Sequence, residues 1–308
     1  MAKKTWSGTI GDFNFATSGN WSPSGVPGNG DDLIFDATAV SAINGSDQTG
    51  GGVVFNTLTI YGTFGSSSPG TILFGSNGTP LKLNVTNGNQ VGINLPAAAA
   101  SSSTQVGCQR INLDLGTTSP IVNVFQANPR AIDTGKETVR IRANNAACDI
   151  NVLGGSGGIG IATDNYTDTT TVGNVNVTGG VCNLGSGVTY SNVVNDGGQV
   201  LVNSTPVTAL ICFAGDLFTR GTYLVPTATC DGGTIHCLHR NAGAACITQL
   251  NLRNGGLLDL SQSGESFTIT STSLRNGRFK TVSDTQIVFT NGISPDFNAA
   301  NAWSGQNS

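Results

Sequence analysis

The sequence predicts an all-β chain built as a β-solenoid. The expected form is a parallel β-helix-like stack of roughly 18–23-residue coils behind a Trp/Pro/Gly-rich N-terminal cap. Three observations predict it. The first is repetition between Gly179 and Gly277. Units open GGVCNLGSG (179–187), GGQVLVNST (197–205), AGDLFTRGT (214–222), GGTIHCLHR (232–240), GGLLDLSQS (255–263) and GRFKTVSD (277–284). A second short strand closes most of them, as in VTYSNVV, VTALICF, ACITQLNL and FTITSTSL. The second is composition. Glycine is 43 of 308 residues, charged residues are 10%, and the only glutamates are Glu137 and Glu265. The helix formers Glu, Lys and Met are scarce, and β-branched and turn residues replace them. The third is patterning. Apolar residues, 38% of the chain, alternate with polar ones in runs such as IVNVF (121–125), TVRIR (138–142) and NVNV (174–177). Disordered tracts lack that order.

Residues 1–36 read as a cap or docking segment. Trp6 and Trp21 flank a turn-rich stretch, Pro23, Pro27, Gly28 and Gly30 fix a tight loop, and LIF (33–35) starts a strand. Two indoles there can seal the end of a stack that would otherwise expose strand edges and an apolar cross-section. Alternatively they are anchors for a partner. Residues 37–104 form a β-rich region, with strands at VVFNTLTIY (53–61), LKLNV (81–85) and VGINL (91–95), ending in the loop PAAAASSST (96–104). Residues 105–293 are the solenoid proper, and 294–308 are a C-terminal arm carrying Trp303. Interfaces favour aromatic anchors, so Trp6, Trp21 and Trp303 are the candidate docking residues.

The motifs that could carry chemistry are weak. Gly155-x-Gly157-x-x-Gly160 matches the dinucleotide fingerprint by letter, but the β-branched, polar residues after it cannot open the helix that the pyrophosphate needs. His236, Cys237 and His239 share one segment, yet alternate strand positions face opposite ways. Glycoside cleavage needs two carboxyl groups at a set separation. The candidate pairs are Asp164 with Asp168, Asp216 with Asp231, and Asp259 with Glu265, and none stands out. The expectation is therefore no catalytic residue, cofactor or metal. Seven cysteines occur without Cys-x-x-Cys spacing and read as small buried residues, with Cys182 and Cys212 in position to be neighbours across coils. A formal charge of −4 without a basic stripe argues against nucleic acid. No apolar stretch reaches the length of a membrane span.

The N-terminal pattern W-x-G…G-x-F…N-W-S-x-x-G-V-P-G-x-G-D-D rests on Trp6, Gly8, Asn20, Trp21, Gly25, Val26, Pro27, Gly28, Gly30, Asp31 and Asp32. It resembles the N-terminal motif of repetitive β-solenoid surface proteins. These include autotransporter-like passenger regions and uncharacterised bacteriophage virion proteins. The start MAKKTWSGTIGDF has no apolar core and does not read as a secretory signal. A chain made in the cytoplasm, with the Asn/Thr/Gly-rich surface of an extracellular protein, fits a virion component. The resemblance implies a non-enzymatic, homo-oligomeric capsid decoration or cement protein. A tail fibre or spike binding cell-surface glycan, or a bacterial surface adhesin, are the alternatives.

Overall fold

The computed structural model describes residues 1–40, 43, 52–61, 75, 80–95, 111–126, 139–154, 156–159, 170–185, 187–203, 207–220, 224–237, 245–262, 266–282 and 286–295. Almost every regular element is a strand. The sole exception among the described residues is one 3-10 turn, Ser18–Asn20. The pairing is parallel throughout except where Trp21–Ser22 lies antiparallel to Lys3–Trp6.

Two parallel ladders run side by side. The first takes Lys3–Trp6, Asp32–Phe35, Thr57–Ile60, Gln90–Leu95, Ile121–Gln126, Ile150–Val152 and Thr170–Val177 in chain order. It continues through the first half of Val188–Val202, the first half of Val207–Thr219, then Val225–Asp231, Ala245–Arg253 and Phe267–Arg275. Ile287–Phe289 and Ile293–Pro295 both pair with that last strand. The second ladder holds Leu81–Lys82, Ile111–Asp114, Val139–Arg142, Ser156–Ile159 and Val181–Leu184. It then takes the second halves of the two long strands, followed by Thr234–Cys237, Leu257–Asp259 and Arg278–Lys280. Each strand pairs with the strand one step earlier in its own ladder. The step is 17 to 23 residues in the later part and up to 33 in the earlier part.

This differs from the expected boundaries. Lys3–Trp6 and Asp32–Phe35 are the first strands of the ladder, not a segment apart from it. Gln90–Leu95 pairs directly with Ile121–Gln126, so the ladder is continuous across the tract 96–104, which lies outside the described residues. The reason is that loops between ladder strands vary in length without disturbing register, and the longer early steps hide the repeat from the eye.

In-register stacking turns sequence alternation into columns. Inward positions superpose apolar residues: Leu33, Leu58, Val91, Val122, Ile150 and Val175 form one such column, all fully buried. Burying each such side chain contributes about 1.5–3 kcal/mol. Outward positions superpose amides and hydroxyls. The Asn151 amide donates to Asn123 Oδ1 at 2.9 Å and Asn176 donates to Asn151 Oδ1 at 2.9 Å. Parallel to them, Asn192 donates to Asn174 at 2.8 Å, and Asn174 to Asp149 at 3.0 Å. Such ladders satisfy each side chain from the layer below.

The glycine pairs of the sequence repeat are the corners between the ladders. In three of them the first residue takes positive φ, +127° at Gly197, +107° at Gly232 and +85° at Gly255; in Gly179–Gly180 it is the second, at +73°. The second has no room for a side chain. A Cβ at Gly233 would lie 2.5 Å from Cys212 Sγ, at Gly256 2.3 Å from the Cys230 carbonyl oxygen, and at Gly277 2.3 Å from Leu252 Cβ. The chain turns at the first residue, and the second lies flat on the corner residue of the previous layer. Asn254 and Asn276, also at positive φ, stand at the last two corners.

Two predictions follow from this arrangement. Leu258→Ala, in the buried column of Ile235 and Phe279, should cost about 2–5 kcal/mol by denaturant unfolding. Thr229→Ala on the outward face should stay within about 0.5 kcal/mol. At one corner, Gly256→Ala should lower the thermal midpoint clearly. Gly255→Asn, where nothing lies within 4 Å of an added Cβ, should cost less, the strain of φ +85° being what remains and Asn tolerating it better than Ala.

Candidate functional site

The N-terminal motif folds into a lid. Trp6 and Trp21 face each other across the antiparallel pair with ring centroids 5.2 Å apart. Phe15 and Phe35 pack edge-on to Trp21 at 4.8 and 5.9 Å. The Trp21 indole N–H donates to the Phe15 carbonyl at 2.8 Å. Asn20 is fully buried and pins the loop. Its amide donates to Asp12 Oδ1 and to the Asn14 carbonyl, and its Oδ1 accepts from the Ile10 N–H. Lys4, at an inward position, spreads its ammonium across the end of the stack and donates to the carbonyls of Pro23 and Ser24 at 3.0 and 3.3 Å. Asp31 accepts from the backbone N–H groups of Gly28 and Ala2, and the Gly28 bond leads in holding its carboxyl below the usual range.

The candidate docking tryptophans therefore need correction. Trp6 is 0% exposed and Trp21 is 3% exposed, so both are inner faces of the lid. Trp303 lies outside the described residues. What the lid presents outward is Ile10, 59% exposed, and Phe13, 42% exposed. Phe13 sits at φ +58°, a costly conformation for a bulky residue. Ile10 lies in no motif position, and Phe13, which closes the Gly11-x-Phe13 part of the N-terminal pattern, was not among the residues singled out.

The sequence's chemical candidates scatter. Gly157 lies within the strand Ser156–Ile159, paired on both sides, while Gly155 and Gly160 lie outside the described residues. His236 and Cys237 occupy one strand; Phe218 is the ladder partner of His236 and Thr219 that of Cys237. His239, Asp164, Asp168, Cys108 and Glu265 lie outside the described residues. Cys182 and Cys212 are not neighbours. Cys182 lies between Gly157 and Val200 on the second ladder, and Cys212 lies between Asn195 and Cys230 on the first. Asn195, Cys212 and Cys230 instead fill one buried corner column. The Asn195 amide donates to the Gly198 and Asp216 carbonyls, and the Cys230 thiol donates to the Gly233 carbonyl. Polar atoms there satisfy carbonyls that the turn leaves exposed to the core.

The densest cluster of ionisable groups is one the spacing did not reveal. Phe218, His236, Asp259 and Lys280 are ladder partners in four successive layers of the second ladder. The Phe218 and His236 rings stack at 4.5 Å with planes 10° apart. His236 Nε2–H donates to Asp216 Oδ1 at 2.9 Å. Its buried Nδ1 makes no hydrogen bond and lies 3.5 Å from Asp259 Oδ2. The Lys280 ammonium reaches the same Oδ2 at 3.2 Å. Burial pushes the Asp259 carboxyl up. The Ser261 hydroxyl and N–H together with Lys280 outweigh that, and hold it below the ordinary carboxylate range. The imidazole thus lies between the two carboxylates, and the Lys280 ammonium pairs with the inner one. A hydrolytic carboxylate pair needs a gap for sugar and water, whereas the His236 imidazole fills the space between Asp216 and Asp259. Among the described residues no group of three or more His, Cys, Asp or Glu is arranged to hold a metal ion, and no helix is long and apolar enough to cross a membrane.

No family model, curated protein or solved structure matches this chain.

Asp259 gives a pH prediction. A carboxyl with a depressed folded-state pKa adds stability above its unfolded value of about 4, and that contribution is lost as pH falls through the folded value. The urea midpoint should therefore fall between about pH 5 and pH 2. Asp259→Asn should flatten part of that fall and lower the midpoint at neutral pH. The thiols give another. The six described cysteines are buried and in no disulfide, and burial raises the Cys148 pKa to about 12. A thiol reagent should leave these six unmodified in the native protein and label them on unfolding.

Proposed function

We propose that the two ladders wind as a single β-solenoid and that the protein is a non-enzymatic structural component of a bacteriophage virion, acting as a capsid decoration or cement protein. The observation that carries this reading is the strand-on-strand parallel stacking between Lys3 and Pro295, with register shifts at Asn195–Gln199 and Ala245–Ile247, an apolar interior and ladders of amides and hydroxyls outside. Such a stack is stiff, because every layer is bonded to the one before it. Its outward amides pair from layer to layer, which suits a protein that works outside a cell. The resemblance of the N-terminal motif to those of phage virion proteins points the same way. In this reading the protein associates with itself and with the capsid surface.

Docking on this reading runs through the outer surface of the lid rather than its tryptophans. Removing residues 1–36 would also remove two ladder strands and the aromatic lid, so that truncation cannot separate docking from folding. The double substitution Ile10→Ser with Phe13→Asn can. Asn tolerates the positive φ that strains Phe13. The variant should melt at or slightly above the wild-type temperature yet be depleted from purified particles. A wild-type chain absent from purified virions, or one that depolymerises a host polysaccharide, would overturn the proposal.

A further inference from the structure

The arginines at the last two corners of the first ladder stand out by their lack of partners. Arg253 and Arg275 are in-register neighbours in successive layers, so their Cα atoms are stacked about 5 Å apart. Arg278 opens the strand after the second of these corners. Three of the chain's nine arginines thus meet on one edge, and all three are exposed. Among the described residues none of the three guanidinium groups pairs with a carboxylate or makes a side-chain hydrogen bond. The acid nearest in register, Asp231, is bonded to the Asn254 amide at 2.5 Å, and Asp259 is bonded to Lys280. Like charges placed directly across a ladder repel; Asp231 carries an opposite charge in register with Arg253, whereas Arg275 has no acid in register.

The positions are also rigid. Each of the stacked arginines directly precedes an asparagine at positive φ, Asn254 at +47° and Asn276 at +57°. The two corners clasp each other, with Asn254 N–H donating to the Arg275 carbonyl at 3.2 Å and Gly255 N–H to the Asn276 carbonyl at 2.6 Å. The side chains therefore start from fixed points, which lowers the ordering cost of binding. Beside them the outward face is amide and hydroxyl: Gln249 over Ser271, and Asn251 over Ser273.

We propose that this edge is a binding site for a carboxylate-bearing polysaccharide. The guanidinium pair would take the carboxylate in bidentate fashion. Ser273 would hydrogen-bond a neighbouring sugar hydroxyl, as would the remaining capacity of Asn251, already bonded to Thr229 and Gln249, and of Ser271, which donates to the Thr248 carbonyl. The positive charge is confined to the last layers. Asp196 and Asp231 precede Arg253 on the same outward edge, and the whole chain carries −4. That pattern suits a polymer with spaced single charges. It disfavours nucleic acid, whose continuous phosphates need an extended basic track and aromatic platforms for the bases. The inference does not depend on the virion reading, since it concerns what one edge binds and not where the protein resides.

The test is binding of a fluorescent galacturonate oligosaccharide to the full chain, with neutral dextran and a single-stranded DNA oligonucleotide as the other two probes. The wild type should bind the galacturonate and not dextran, and the affinity should fall as salt rises. The double variant Arg253→Gln with Arg275→Gln should lose about tenfold or more in affinity. It should keep its melting temperature or gain a little, because a repulsion has been removed. A role in folding would give the opposite, a lower melting temperature. Equal affinity in wild type and variant, no galacturonate binding by the wild type, or tighter binding of the DNA would each overturn the proposal.

Discussion

The fold depends on parallel, in-register stacking of each strand on the strand one step earlier. Once that register is set, every inward residue meets its counterpart above and below, so one alternating strand pattern repeated along the chain becomes a continuous apolar column. A slip of one residue would turn every apolar side chain outward. The glycine pairs enforce the register at the corners. With no side chain to hold it off, Gly233 rests on Cys212, Gly256 on the Cys230 carbonyl and Gly277 on Leu252. The amide ladders enforce it on the outside, because Asn123, Asn151 and Asn176 reach each other only at zero offset.

Stacking of this kind leaves an end that must be closed. The N-terminal segment does so with a short antiparallel strand, four packed aromatic rings and the ammonium of Lys4 laid over the last carbonyls. The same residues that make the motif conspicuous in the sequence are thereby consumed in structure. Asn20 holds the loop, Trp21 fills the lid, and Asp31 and Asp32 tie the first layers together. Asp32 does this by accepting from Asn56 and Thr57 of the next layer. Of the N-terminal pattern, Phe13 and Val26 are left facing outward.

Much of the fold was legible because the later steps are short and regular. The paired glycines at 197–198, 232–233 and 255–256 mark corners directly, and the alternation in IVNVF or NVNV gives both strand and face. The earlier layers were harder to see because their steps reach 33 residues, so the first two strands were separated from a ladder to which they belong. Site chemistry was the least legible. Asp216, His236, Asp259 and Lys280 lie about 20 residues apart in sequence and meet only through stacking. Arg253 and Arg275 become neighbours for the same reason. Cys182 and Cys212 both sit on repeat strands, yet they belong to different ladders, a distinction that alternation alone does not encode.

The most direct measurement of this account is the set of interstrand backbone contacts seen by nuclear magnetic resonance along a single column. Val193, Leu210, Ala228 and Leu250 are assigned here to successive layers of the first ladder. The account predicts amide-to-α-proton contacts characteristic of parallel strands between each successive pair. It also predicts no contact that skips a layer. Close α-proton pairs between these segments, the mark of antiparallel hairpins, or contacts displaced by one residue from this register, would contradict it.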